Sequence, residues 1–251
     1  MNEFGMSDRE ILLAGESWVT VTYEIKGRNV LRDAEYGEAA GRFVETLEST
    51  GASVTFQPCH VAAESFPRTR EELDEFDVVI LSDVGADTLQ LTDRVTGGDT
   101  DVDRCALLAD WVRDGGALGM VGGYMSFAGK GGQARYAATA LADVLPVEMR
   151  RGDDRIETPE GARPRNVGVP DDDVPADWPA VLGYNELEAK PDADVWATVR
   201  DDPFLVVGDR GEGSAFAYAT DCAPHWAPEP LLEWEHLPTL WSCVLDRVDE
   251  T

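Results

Sequence analysis

The segment Ala117-Leu118-Gly119-Met120-Val121-Gly122-Gly123-Tyr124-Met125-Ser126-Phe127-Ala128-Gly129 decides how this chain is read. Its first five residues are apolar or small, with glycine pairs on both sides. That pattern predicts a short strand buried on both faces. The glycines behind it make a tight turn. A turn of this kind at the carboxyl end of a strand is where many α/β enzymes mount a nucleophile. Here the turn carries Tyr124, Met125 and Ser126, and no cysteine. The frame of a catalytic elbow is legible without its usual reactive atom.

Outward from that strand the same rhythm repeats. Ile11-Leu12-Leu13-Ala14-Gly15 reads as a buried strand with Glu16-Ser17-Trp18 at its end, and residues 19–33 read as a long polar loop. Ala34 to Ser49 has apolar residues at helical spacing and stops at Gly51. Ser53 to Phe56 is a second strand. Thr69-Arg70-Glu71-Glu72 has the form of a capping box. Asp77 to Asp83 is a third buried strand with an acidic tip, and Thr100 to Asp114 a helix ended by Gly115-Gly116. Alternating strands and helices of this length imply a parallel sheet with crossover helices. After Leu141 the rhythm breaks. Residues 150–175 read as a loop excursion rich in Arg, Asp, Pro and Gly. Short strands follow at Val195–Val199, Phe204–Val207 and Ser214–Ala219, the last two joined by a glycine-rich hairpin turn. Pro238 to Val248 is the closing helix.

The chain has 251 residues, 43% of them hydrophobic, enough for one large α/β domain with an insertion. The expectation is a single domain over 1–251 with a loop-rich excursion at about 142–214. Forty-nine acidic residues face 21 basic ones, a net charge of −28, and only Lys26, Lys130 and Lys190 are lysines. Such a surface repels itself at low ionic strength and is screened in high salt. The reading is a cytoplasmic protein with an acidic surface from a salt-accumulating organism. The charge argues against nucleic acid and against an anionic membrane as partner. No apolar run approaches the roughly 18 residues of a membrane span, and Met1 to Glu10 lacks the layout of a signal peptide. Cys59, Cys105, Cys222 and Cys243 form no CxxC pair and read as thiols in a reducing compartment.

Ligands of open parallel sheets bind beyond the carboxyl ends of the strands. Four such ends here carry polar or aromatic groups: Glu16-Ser17-Trp18, Ser82-Asp83, Gly123 to Ser126, and Asp221 through Trp226. Leu13 to Trp18, Ile25-Lys26-Gly27, Val78 to Ala86, Gly122 to Phe127 and Asp221-Cys222-Ala223-Pro224-His225-Trp226 together resemble the class I glutamine amidotransferase-like superfamily. More closely they resemble its putative glutamine amidotransferase family, related to trehalose-utilisation proteins, here in a halophilic, archaeal form. The resemblance implies a flavodoxin-like three-layer α/β sandwich with a mostly parallel sheet.

Glutaminases of that superfamily use an elbow cysteine, a histidine near the carboxyl end and an acid two residues after it. Here Tyr124 falls at the elbow, His225 matches the histidine, and its second neighbour is Ala227 rather than an acid. Glutamine hydrolysis by the usual route is therefore not expected. The first reading is a small-molecule-binding member, with Glu16, Ser17, Trp18, Asp83, Gly123, Tyr124, Met125, Lys130, Asp221 and Trp226 around an unidentified ligand. Lys130, on a glycine loop beside the elbow, is either an anion-holding group or a solvated lysine. The second reading is a hydrolase or amidase with Ser126 as nucleophile and His225 as base. The third is an oligomerisation module that associates with further copies of itself as a homo-oligomer. No cofactor is implied: Gly129-Lys130-Gly131-Gly132 lacks the Ser or Thr of a Walker loop. No metal is expected either, because no two candidate ligands lie at a metal-binding spacing.

Overall fold

The structure is a computed structural model that describes residues 9–249. Its strands in chain order are β1 (Glu10–Gly15), β2 (Ser17–Lys26), β3 (Asn29–Glu38), β4 (Ser53–Pro58), β5 (Val78–Ser82), β6 (Ala117–Val121), β7 (Val147–Glu148), β8 (Arg155–Ala162), β9 (Pro164–Asn166), β10 (Val181–Asn185), β11 (Glu188–Ala189), β12 (Asp194–Val199), β13 (Asp202–Arg210) and β14 (Gly213–Tyr218). The helices are α1 (Gly41–Glu48), α2 (Cys59–Ser65), α3 (Arg70–Leu73), α4 (Ala86–Gln90), α5 (Asp93–Thr96), α6 (Arg104–Arg113), α7 (Leu141–Val144), α8 (Glu229–Leu232) and α9 (Leu237–Asp249).

Eight strands form one sheet in the order β4-β1-β5-β6-β14-β13-β12-β9. The first five run parallel. The last three are antiparallel additions. Helices pack against this sheet, so the expected α/β sandwich of the flavodoxin-like type is the observed one. Strands β1, β5 and β6 are buried along almost their whole length, which is why they read as continuous apolar runs rather than as alternations. Trp241 of α9 shows how a helix is fixed to the sheet. It meets Phe43 of α1 edge-on at 4.8 Å and Phe216 and Tyr218 of β14 at 5.6 and 5.5 Å. Edge-to-face rings at these separations add to the burial of their apolar area. Arg104 is fully buried at the start of α6. It donates to the carbonyl oxygens of Ala62, Ala63, Thr88 and Leu89, tying α2 and α4 to α6. A buried guanidinium is tolerable because its donors meet oriented carbonyl dipoles.

Three expectations are corrected. Residues 19–33 are not a loop: β2 and β3 form a ten-residue antiparallel hairpin turning at Gly27-Arg28. Val19, Val21, Tyr23 and Ile25 alternate with polar residues, and that period of two builds a strand even where the face is open to water. Consequently the helix expected over 34–49 begins only at Gly41, and Ala34 lies on β3. Residues 150–175 contain β8 and β9, and the 142–214 region is largely antiparallel ladders, two of which extend the main sheet. Polar strands with one wet face mimic loop composition. The capping box at Thr69 and the β13–β14 hairpin are as expected.

Candidate functional site

Strand β1 pairs with β4 on one side and β5 on the other. The strand order reverses there, which opens a crevice beyond the carboxyl ends of the strands. The crevice has a volume of about 720 Å³ and is bordered by Glu16, Trp18, Glu38, Asp83, Tyr124, Met125, Lys130, Gln133, Asp221 and His225.

Its floor is built from three strand ends. Gly15 closes β1 at φ 128°, where a Cβ would overlap the Ser82 carbonyl oxygen. The next residue, Glu16, is held at φ 46°, and its amide donates to that same oxygen at 3.0 Å. Asp83, one residue past β5, is also at φ 46°. A non-glycine residue in this left-handed region costs of order 1–3 kcal/mol, and such positions cluster at functional sites. A nucleophile elbow stores its strain at the nucleophile. Tyr124 is not among the positive-φ residues: the turn carries its strain further on, at Phe127 (φ 53°), and the neighbouring strand ends carry theirs on the acids Glu16 and Asp83.

Glu16 is almost wholly buried. It accepts a hydrogen bond from Ser82 Oγ at 2.5 Å, and that hydroxyl lies 3.5 Å from Cys222 Sγ. Burial, then the Asp221 and Asp83 charges, drive its carboxyl well above the usual range. Asp221 is buried too. Desolvation, then Asp83, push it to about 8, although the Ala223 amide donates to Oδ1 at 2.8 Å. Like charges this close cannot both ionise in a low dielectric, so the pair retains a proton at neutral pH. His225 stands over them half-exposed, with Nδ1 3.6 Å from Asp221 Oδ2 and its ring edge-on to Tyr124 at 4.2 Å.

Asp83 occupies the elbow itself. The Met125 amide donates to its Oδ1 at 2.7 Å, and Gly123 lacks a Cβ where one would press on this carboxylate. Desolvation raises the Asp83 carboxyl, while the Met125 and Tyr124 amides and His225 oppose the rise.

Of the residues picked from sequence, Glu16, Trp18, Asp83, Tyr124, Met125, Lys130, Asp221 and His225 come together around the crevice. Four do not border it. Ser126 is buried, donating to the Val121 carbonyl at 2.6 Å and accepting from the Asp83 amide at 3.0 Å. Its hydroxyl is committed to shaping the turn, which removes it as a free nucleophile. Ser17 Oγ accepts from the Cys59 amide at 2.8 Å, pinning the start of α2. Gly123 contributes only backbone, its amide donating to Asn185 Oδ1 at 3.0 Å. Trp226 is buried; its indole N–H donates to Glu157 and the ring fills the space that Gly183 leaves. Lys130 lies over the Tyr124 ring at 4.7 Å, a cation–π contact. The glycine-loop amides do not wait for an anion: those of Ala128 and Gly129 donate to Asp154, and that of Gly131 to Asp153.

Sequence reasoning missed Glu38, Gln133, Asp154 and Asn185. Glu38 lay in the segment taken for helix. Asp154 and Asn185 are buried polar residues in the excursion, joined at 2.8 Å, and only their burial marks them as organisers of the elbow loop. Among the described residues, Glu16, Asp221 and Cys222 are the group that could offer three ligand atoms to a metal, within 4.8 Å of one another. The cluster is already knit by hydrogen bonds to Ser82 and Ala223. Burial and the adjacent acids push the Cys222 thiol well up, so it is held protonated rather than as a thiolate.

Comparison with known proteins agrees with this fold. A family model described as putative glutamine amidotransferase matches residues 10–250. Two solved cytoplasmic proteins of Salmonella typhimurium are similar over 95% of this chain. One is 34% identical with a TM-score of 0.89 over 98% of its own length. The other, from strain LT2, is 38% identical with a TM-score of 0.90 over 99%. A ThuA-like protein from Parabacteroides merdae shares the fold at 11% identity and a TM-score of 0.50, over 96% of this chain and 89% of its own. No curated protein matches the sequence. No helix among the described residues is long and apolar enough to cross a membrane.

Proposed function

The chain belongs to the putative glutamine amidotransferase family, and from that premise we propose that it is a member without glutaminase chemistry, which binds a polar small molecule over Glu16, Asp83 and Asp221. The carrying observation is the Asp83 carboxylate on the Met125 amide. Glutamine hydrolysis develops an oxyanion, which backbone amides at the elbow must hold. A carboxylate already seated there takes up the donor and repels a second negative charge. A nucleophile is missing as well: Tyr124 stands at the elbow, Ser126 is bound at both ends of its hydroxyl, and the Cys222 thiol is buried and protonated. The crevice instead offers an acceptor-rich floor, aromatic walls from Trp18, Tyr124 and His225, and Lys130 and Gln133 at its border. That combination suits an uncharged or cationic polar ligand, held by few polar contacts against apolar walls.

A second reading has its own observation. Two acids that share a proton beside a half-exposed histidine are equipped for proton transfer, and strongly shifted carboxyls in a cleft cluster at catalytic sites. In that reading Asp221 and His225 exchange a proton with the bound molecule. The acidic, lysine-poor composition supports a salt-accumulating cytoplasm as the setting.

The test is thermal-shift screening of amines, polyols and amino acids in concentrated KCl, followed by calorimetry on hits. A ligand whose affinity falls in Asp221→Asn and in His225→Ala supports the site. Ligands that bind both variants as tightly as the wild type place binding elsewhere and refute it.

A further inference from the structure

The β2–β3 hairpin projects as an arm, and its two faces differ. Cross-strand register places Val19 opposite Tyr36, Val21 opposite Ala34, Tyr23 opposite Arg32 and Ile25 opposite Val30 on one face. The other face carries Trp18, Thr20, Thr22, Glu24 and Lys26. The first face is open to water: Ile25 is 74% exposed, Val19 62%, and Tyr23 and Val30 60%. A two-stranded hairpin is marginal alone in water, and a contiguous apolar face of this size marks an interaction surface.

We infer that this arm is an association surface for a second copy of the chain, packed arm against arm about a two-fold axis. Three observations select that occupant. An apolar face needs an apolar counterpart, and of the ten exposed large hydrophobic side chains among the described residues, eight lie on the arm; the others are Leu91 and Val167. The surface on a second copy that complements the arm is therefore its own arm.

Charge agrees. Ile25 to Arg32 carries Lys26, Arg28 and Arg32 and no acid, whereas Asp33 to Glu38 carries Asp33, Glu35 and Glu38 and no base. A two-fold axis across the arm runs the two charge gradients head to tail, the self-complementary pattern of an isologous contact, with Glu38 the acid on the docking face and Asp33 and Glu35 on the far one. Among the described residues neither Arg28 nor Arg32 has an ion-pair partner, in a chain with 49 acids to 21 bases; Lys26 is paired with Glu24.

Size agrees as well. Covering Val19, Val21, Tyr23, Ile25, Val30 and Tyr36 removes on the order of 600 Å² per copy, against about 800 Å² per partner for a standard stable interface.

Sedimentation equilibrium of the full chain, in KCl concentrated enough to screen its charge, tests this. The wild type is expected to dimerise at micromolar concentration. Tyr23→Glu and Ile25→Glu, on open positions, are expected to weaken the dimer at least about 30-fold, the scale of an interface hot spot, with unchanged near-ultraviolet circular dichroism. At lower KCl, where charges act over a longer range, reversal of Arg28 and Arg32 to Glu is expected to weaken it too, and adding Glu38→Arg to recover part of the loss. A wild type that stays monomeric at high concentration, or a dimer indifferent to both sets of changes, overturns the proposal.

Discussion

The crevice floor takes the Glu16 and Asp221 carboxyl groups out of water and Asp83 partly so, whereas the arm that begins one residue past Glu16 pushes eight large apolar side chains into it. Ordinary positions do the reverse, and the two departures differ in what sustains them. At the floor, strained backbone at Glu16 and Asp83 and a proton shared with Asp221 hold acids where solvent would be cheaper. On the arm, cross-strand pairing, with the edge-on contact of Tyr36 and His60 at the root, supports an uncovered face. The first region therefore couples the crevice to folding, because each of its groups is wedged between strand ends. The second can change its surface without disturbing the core. A buried polar cluster and an exposed apolar face are both informative departures, but their mutations should separate on the stability axis.

Single substitutions in the two regions test that contrast. Gly15→Ala has the largest expected effect, a loss of more than about 4 kcal/mol or failure to fold, because a side chain would enter the Ser82 carbonyl and φ 128° excludes it. Equilibrium denaturation in high salt measures this.

Asp221→Asn comes next and depends on pH. The folded-state carboxyl titrates near 8, far above its value of 3.8 in an open chain. Between those values the native state holds a proton that the unfolded chain has lost. The stability this provides is complete below pH about 4 and declines as pH rises through about 8. The asparagine variant loses Asp221's share of that slope and keeps the part that burial of Glu16 provides. It is expected to overtake the wild type above pH 8 by on the order of a few kcal/mol. A melting-temperature profile from about pH 5 to about pH 9.5 that stays parallel for the two proteins would contradict the shared proton.

Ser126→Ala is expected to cost about 2 kcal/mol, since it leaves the Val121 carbonyl and Asp83 amide without their partner, and to spare ligand binding. His225→Ala, half-exposed, should do the opposite. Smallest of all is Ile25→Glu: its monomer stability should stay within about 0.5 kcal/mol of the wild type.

Much of the sheet was legible because β1, β5 and β6 are buried on both faces and so appear as bounded apolar runs. The convergence of Glu16, Asp83, Tyr124 and Asp221 was legible for a related reason: in a parallel sheet, the residues after each strand lie along one edge. The arm was not, because its apolar residues serve no core of their own chain, and alternation between Thr and Val reads as polar. Ser126 and Trp226 misled for another reason. Both sit at strand ends, yet Ser126 closes its turn from beneath and Trp226 packs against Gly183, and proximity in sequence does not show which side of the turn a side chain takes. The role of Asp154 and Asn185 rests on contacts across some 25 to 60 residues, which no local pattern encodes.

The Met125 amide is held by the protein's own Asp83, and on the proposed reading a glutaminase oxyanion finds no free donor there. Ammonia release from glutamine by the full chain in concentrated KCl tests that reading directly. Release is expected to be no faster than in buffer, for the wild type and His225→Ala alike. Sustained release that disappears in His225→Ala or Cys222→Ala would contradict it.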